Sequence, residues 1–293
     1  MTAPAKPRVA LLGLGIMGGG MARRILGGGF PLVVHNRDRA KADAIVAAGA
    51  AWAETPRAAA AGADLVFSMV ADDVASRAMW LGENGAIAGA APHAVLVECS
   101  TLTATWVAEL ARAVAAHGAE LVDAPVTGSK NAAAAGELNF LVGGSAAALE
   151  KIRPVLAVTG RSIMHLGPTG SGALMKLANN FVCGVQLTAF AEALAFLERS
   201  GLERAKALAV LTDGAPGSPL VKLVAGRMTS RDYTPNFKLA LMAKDLGYAI
   251  EEAKRRGLPL ATATAALETF RRAIAAGHAE QDMAAVAELL RAS

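Results

Sequence analysis

The chain has 293 residues, 54% of them hydrophobic and 18% charged, with a formal net charge of +4. That length favours two domains with large cores, and without a basic block it offers no nucleic-acid footprint; Arg255-Arg256 and Arg271-Arg272 read as solvated helix faces. No uninterrupted apolar run reaches the roughly 18 residues of a membrane span, and the N-terminal MTAPAKPR lacks the apolar segment of a signal peptide.

Residues 8–12 (RVALL) form a short apolar strand that runs into Gly13-Leu14-Gly15-Ile16-Met17-Gly18. A helix through residues 21–26 follows and stops at Gly27-Gly28-Gly29. Strand, glycine turn and helix together are the context that the dinucleotide fingerprint GxGxxG requires. Gly13 permits the tight turn, Gly15 lets the backbone approach a pyrophosphate, and Gly18 allows close helix–strand packing. The helix N-terminus then offers free N–H groups to phosphate.

A second strand, residues 31–35 (PLVVH), ends in His35-Asn36-Arg37-Asp38-Arg39. An NAD site would place an acid there for the ribose 2′-hydroxyl. Here Asn36 and Arg37 stand instead, and a guanidinium fork suits a 2′-phosphate. NADP(H) is therefore expected over NAD(H), with Arg39 and Lys41 either helping or lying on the surface. Asp38 is expected to cap the next helix.

The alternation continues with a strand at 64–69 (DLVFSM), a helix at 72–80 and a strand at 94–98 (AVLVE) ending in Cys99-Ser100-Thr101. Next come a helix at 103–117 and a strand at 120–124 (ELVDA) that leads into a loop at 125–130. A strand at 138–142, a helix at 146–158 and a strand at 162–166 complete the pattern. Such alternation means βαβ units and a mainly parallel sheet with helices on both faces, a Rossmann-type doubly wound α/β domain. Ligands bind beyond the carboxyl ends of such strands. Met69-Val70, Ser100-Thr101 and the 125–130 loop lie at those ends.

After Gly167-Pro168 the character changes. Residues 169–199 contain no proline and read as one long helix, apolar on every face and hence buried. Within it Lys176 and Asn180 are four apart and share a face, with Asn179 beside them. A buried lysine needs a partner or a purpose. Cys183, like Cys99, sits among apolar residues, which suits an inert thiol in a reducing cytoplasm. Only helical patterns follow: Leu239, Met242, Leu246, Ala249 and Ile250 make a stripe. Lys244 and its neighbour Asp245 are equally consistent with solvent and with a cleft lining. Residues 258–291 read as one or two amphipathic helices, with Asp282 an N-cap. The expected domains are residues 1–168, the NADP-binding Rossmann domain, and 169–293, an all-α C-terminal domain entered through the 169–199 interdomain helix.

Four segments together resemble the β-hydroxyacid dehydrogenases, a family that includes 3-hydroxyisobutyrate dehydrogenase, tartronate semialdehyde reductase and the glyoxylate/succinic semialdehyde reductases. They are VALLGLGIMGGGMARRIL from Val9, DAPVTGSK from Asp123, GSGALMKLANN from Gly170 and FKLALMAKDL from Phe237. The resemblance implies that Lys176 is the catalytic lysine and that Asn180 holds the substrate or supports that lysine. It implies that Thr127 and Gly128, with Ser129, bind the substrate carboxylate, and that Thr101 contacts the cofactor. It also implies that Lys244 helps close the C-terminal domain over the cofactor. Thr127 stands where the family usually has serine. The Gly128-Ser129-Lys130 run is more similar to the glyoxylate/succinic semialdehyde reductases, from which Asn131 departs.

The chemistry implied is hydride exchange between NADP(H), or NAD(H) at lower efficiency, and a short carboxylate aldehyde or hydroxy acid. Lys176 acts as general acid or base, its pKa lowered by partial burial. The five histidines are scattered without a metal-ligand spacing. An imine reductase would carry Asp or Tyr at the lysine position. A 6-phosphogluconate dehydrogenase would have histidine where Asn179 stands, and a larger C-terminal domain. A non-catalytic dinucleotide-binding module would have no need to keep Lys176, Asn180 and Lys244 together. A cytoplasmic homodimer or homotetramer is expected, because a small helical domain with so apolar a helix leaves surface to bury.

Overall fold

A computed structural model of the chain describes residues 5–291. Residues 1–4, part of the stretch read for a signal peptide, lie outside them. The chain divides into two compact units, Met1–Lys176 and Leu177–Ser293.

The first unit opens with β1 (Val9–Leu12), α1 (Ile16–Gly27), β2 (Leu32–His35), α2 (Asp43–Ala47), β3 (Ala51–Trp52) and α3 (Pro56–Ala60). It continues with β4 (Leu65–Ser68), α4 (Asp73–Trp80), β5 (Val95–Glu98), α5 (Ala104–Ala116) and β6 (Glu120–Asp123). Then come β7 (Val126–Thr127), α6 (Lys130–Ala135), β8 (Leu138–Gly143), α7 (Ala146–Thr159) and β9 (Gly160–Gly167). The strands form one sheet in the order β3-β2-β1-β4-β5-β6-β8-β7, with β9 on β8. Pairings among β1 to β6 are parallel, whereas β8 runs antiparallel to β6 and β7. The strand order reverses between β1 and β4, which opens the crevice where a doubly wound sheet takes its ligand.

Strand β1 explains why the sheet is covered on both faces. Successive side chains point to opposite sides. Val9 and Leu11 join Met21, Ile25, Leu149 and Ile152 in one core. Ala10 and Leu12 join Trp80, Trp106 and Leu110 in another. All four β1 residues are fully buried, as parallel strands require. Burying each Val or Leu contributes about 1.5–3 kcal/mol.

Two local readings need correction. Helix α1 begins at Ile16 rather than Met21, although Gly18-Gly19-Gly20 is a poor helix former. A Cβ at Gly20 would lie 2.9 Å from Ala133, so the contact with α6 demands glycine and packing overrides propensity. The expected 125–130 loop instead contains β7 and the first residue of α6.

Helix α8 (Ser171–Arg199) runs through the division between the units. The second unit continues with α9 (Arg204–Asp213), α10 (Pro219–Ser230), α11 (Leu239–Arg255), α12 (Ala261–Ala273) and α13 (Val286–Arg291). Its core gathers Leu187, Phe190 and Leu194 of α8 with Val224 and Met228 of α10, Leu239, Met242 and Leu246 of α11, and Phe270 of α12. A Cβ at Gly184 would lie 2.9 Å from Leu246, so α8 and α11 meet at a glycine. As expected, Asp282 caps a helical turn, accepting from Ala284 N at 3.2 Å; it also accepts from Asn236 N at 2.9 Å.

Helix α8 is not buried all round. Met175, Val182 and Phe196 are 42%, 59% and 70% exposed, and their separations of 7 and 14 residues put them along one face. By length and composition α8 is also long and apolar enough to cross a membrane, with a window of mean hydropathy 1.5 that is 44% buried. Counting uninterrupted apolar residues missed this, because an average tolerates isolated polar residues such as Gln186 and Glu192. Such a window is equally that of a core helix, and Leu187, Phe190 and Leu194 belong to a packed core.

Candidate active site

The glycine turn after β1 has the geometry its sequence implies. Gly13 has φ +94°, and a Cβ there would collide with the carbonyl of Met69 after β4. A Cβ at Gly18 would collide with the carbonyl of Gly13. Around Gly15, by contrast, a Cβ would meet nothing within 4 Å. Gly15 is also the N-cap of α1 and makes no side-chain cap bond. Asp72, Thr103 and Ser145 cap α4, α5 and α7 with their own side chains. The N-terminus of α1, with Ile16 and Met17 in its first turn, is thus open to an anion and has no acidic residue there to repel one.

The end of β2 is tied to this turn. Leu14 N donates to Asn36 Oδ1 at 2.9 Å, and Asn36 Nδ2 donates to Asp38 O at 2.8 Å. Both ends of the Asn36 amide therefore serve the backbone. Asp38 caps the following turn through Ala40 N at 3.2 Å, as expected. Arg39 pairs with Asp43 at 2.9 Å and lies 4.5 Å from the Trp52 ring. Arg37 and Lys41 are exposed.

The loops after β4 and β5 are joined by a buried acid that sequence reasoning missed. Val70 N donates to Ser100 Oγ at 2.8 Å, and Ser100 N donates to Glu98 Oε1 at 2.9 Å. Ser76 Oγ and Trp80 Nε1 donate to Glu98 Oε2 at 2.6 and 2.7 Å. Burial pushes the Glu98 carboxyl up, and these hydrogen bonds oppose the shift. Burial pushes the neighbouring Cys99 thiol well up, which suits an inert thiol. Met69, Val70 and Thr101 thus lie on a braced frame beside the glycine turn. The one signal for Glu98 was an acid closing an apolar strand.

Asp123, at the end of β6, was also missed. It is 1% exposed. Its Oδ1 accepts from Gly170 N at 2.6 Å and its Oδ2 from Ala173 N at 2.7 Å. Burial raises its pKa, against these backbone bonds. Asp123 therefore caps α8 from another element. Lys176 follows one turn later and is 9% exposed. Beyond β6, Thr127 lies on β7 and Gly128 has φ +135°, a conformation that favours glycine. Ser129 Oγ accepts from Ala132 N at 3.3 Å and caps α6, so its hydroxyl serves that helix.

In the second unit a third buried acid organises the predicted residues. Asn180 Nδ2 donates to Asp245 Oδ2 at 2.5 Å, and Asn179 Nδ2 donates to Asn180 Oδ1 at 2.9 Å. Lys244 Nζ lies 2.7 Å from Asp245 Oδ1 and 4.5 Å from the Tyr248 ring. Asp245 is 1% exposed and the Lys244 side chain 17%. Lys244 is therefore an anchored lysine rather than a solvated one. Cys183 is partly buried, with Asn179 Nδ2 at 3.7 Å from its sulfur.

The strand order, the open turn at Gly15 and the uncapped α1 define a Rossmann-type dinucleotide-binding protein. Residues 8–167 match the family model described as the NAD binding domain of 6-phosphogluconate dehydrogenase. Residues 170–290 match that described as NAD-binding of NADP-dependent 3-hydroxyisobutyrate dehydrogenase. The chain is 38% identical to an NAD-dependent L-serine dehydrogenase of Pseudomonas aeruginosa over 290 residues, covering 96% of this chain and 97% of that one. It is 33% identical to the chloroplastic glyoxylate/succinic semialdehyde reductase 2 of Arabidopsis thaliana, over 97% and 80% of the two chains. A structure of Mycobacterium tuberculosis 3-hydroxyisobutyrate dehydrogenase with L-serine superposes with a TM-score of 0.88 at 31% identity, over 98% and 99%. The chain belongs to the β-hydroxyacid dehydrogenase family and is an NAD(P)-dependent oxidoreductase.

Proposed function

We propose that the protein interconverts a short hydroxy acid and the corresponding carboxylate aldehyde, with NADP(H) preferred and Lys176 as general acid and base. The observation that carries this reading is the buried Lys176 on a helix whose first turn is tied by Asp123 to the strand preceding Thr127 and Gly128. When bound, the nicotinamide supplies or accepts the hydride. In the reducing direction Lys176 donates a hydrogen bond, then a proton, to the carbonyl oxygen; in the oxidising direction it takes the hydroxyl proton. The Thr127 hydroxyl and the Gly128 N–H bind the carboxylate. Asn180, oriented by Asp245, supports the lysine on the same helix face. Gly13–Gly18 and the α1 N-terminus take the pyrophosphate, Arg37 the 2′-phosphate, and Met69, Val70, Thr101 and Lys244 contribute further cofactor contacts. Two of the similar proteins carry L-serine in their descriptions and one carries glyoxylate and succinic semialdehyde. The substrate class is accordingly a carboxylate of a few carbons with a hydroxyl or aldehyde nearby. We place residues 1–168 as the cofactor domain and 169–293 as a helical domain that forms a cytoplasmic homodimer or homotetramer.

The test is a steady-state panel of glyoxylate, succinic semialdehyde, methylmalonate semialdehyde, tartronate semialdehyde and L-serine with both cofactors. Lys176→Ala should cost at least the roughly 10²–10⁴-fold expected of a general acid, with NADPH affinity unchanged by fluorescence titration. A variant turning over at the wild-type rate excludes the assignment.

A further inference from the structure

The fold sets Asn139 directly against the segment that carries Thr127. Strands β7 and β8 run antiparallel, with Thr127 opposite Asn139. Side chains of such a pair share one face of the sheet. Asn139 Nδ2 lies 3.4 Å from Thr127 Oγ1 and donates to it. On the other side of β8, the pairing with β9 slips by one residue between Leu138 and Asn139: Leu138 faces Gly160, whereas Asn139 faces Ser162. Arg161 is the extra residue of this bulge, and a bulge re-aims the side chain it carries. Arg161 Nε donates to Asn139 Oδ1 at 3.2 Å.

This chain has a direction. A guanidinium has only donors, so Arg161 requires the amide oxygen on its side and leaves the NH₂ to face Thr127. A hydroxyl that accepts from an amide NH₂ must aim its own proton elsewhere. We propose that Arg161 and Asn139 are positioning residues that present the Thr127 hydroxyl as a donor to the substrate carboxylate. The proposal rests on the reading of Thr127 as a carboxylate ligand given above. A carboxylate is acceptor-only, so a hydroxyl free to rotate binds it less well than one whose lone pair is already engaged.

The experiment is a double-mutant cycle, with KM and kcat measured for whichever aldehyde of the panel wild type reduces best, and with circular dichroism melts for every variant. Thr127→Val keeps the shape and removes the hydroxyl. Asn139→Ala should raise KM roughly fivefold, the size of one net hydrogen bond, with kcat and melting temperature little changed. Asn139→Asp should be worse than Asn139→Ala, because a carboxylate accepts the Thr127 proton and turns it away from substrate. Both effects should vanish in the Thr127→Val background. Additive effects in that background, or Asn139→Asp matching wild type, overturn the positioning role while leaving the carboxylate reading intact. A Thr127→Val enzyme with wild-type KM overturns the carboxylate reading and this inference with it, as does a wild type that reduces no aldehyde of the panel. A second readout is the affinity for the product hydroxy acid by calorimetry, which should weaken in the same order.

Discussion

Three buried acids do most of the organising in the two units, and each does so through oxygens that accept from the protein. Glu98 braces the loops after β4 and β5, Asp123 caps α8, and Asp245 joins Asn180 to Lys244. None was assigned a role from sequence, because a lone acid reads as surface or cap until its neighbours in space are known. Glycines were different: positive φ at Gly13 and Gly128 and the open space at Gly15 are backbone demands that a motif states directly. Cofactor preference also belongs to single residues. Asn36 is committed to Leu14 N and Asp38 O, so the exposed Arg37 is the residue proposed to meet a 2′-phosphate. A charge-assisted hydrogen bond to a phosphate contributes about 1.5–3 kcal/mol. Arg37→Ala should therefore raise the KM for NADPH by roughly 10- to 100-fold and leave that for NADH unchanged. An equal rise for both cofactors would show that Arg37 does not read the phosphate.

At the scale of elements, α8 is anchored near both ends. At its start, two backbone N–H groups point at two oxygens of Asp123. Asp123→Asn keeps the shape but turns an NH₂ toward one of those N–H groups. The unfolding free energy should fall by about 1–3 kcal/mol, read from urea melts, and kcat should fall with it because Lys176 lies one turn on. Unchanged stability would mean that the cap is not held in solution. Toward its end, Glu198 of α8 takes Arg291 of α13 through two bonds, of 2.6 and 2.9 Å. Arg291 holds the Glu198 carboxyl below the usual carboxylate range. A lowered carboxylate pKa contributes stability that is present at neutral pH and is lost as pH falls through the folded value, below about 4.5. Arg291→Met should cost about 1–3 kcal/mol at pH 7, and the gap to wild type should close on acidification below about pH 4.5. A gap independent of pH would assign the loss to packing. Element boundaries were legible where a strand was wholly apolar, as in β1. They were misread at Gly18-Gly19-Gly20, where the α6 contact outweighs helix propensity.

For the whole molecule, the unburied apolar surface is the strongest expectation. On α9, Leu208 and Leu211 pack against the core of the second unit, whereas Val210 is 68% exposed. On α8, Val182 and Phe196 are exposed along one face. Apolar patches of this kind mark contact sites, and a second copy of the chain is the occupant expected here. Light scattering should give at least a dimer mass, and Phe196→Asp should lower it by placing a charge in the contact. A monomeric wild type would refute the expectation.

The residues alone were enough for a doubly wound sheet, its glycine turn and a helical continuation, because each is written in local terms. Apolar runs of strand length, glycines at turn spacing and a 3.6-residue stripe need no partner to be read. Folding was needed to show which polar groups are paired. The bulge that turns Arg161 toward Asn139, the cap that Asp123 lends to α8 and the acid that holds Asn180 beside Lys244 all join residues 22 to 65 positions apart. Such pairings follow from strand register and helix packing, and a linear pattern carries neither.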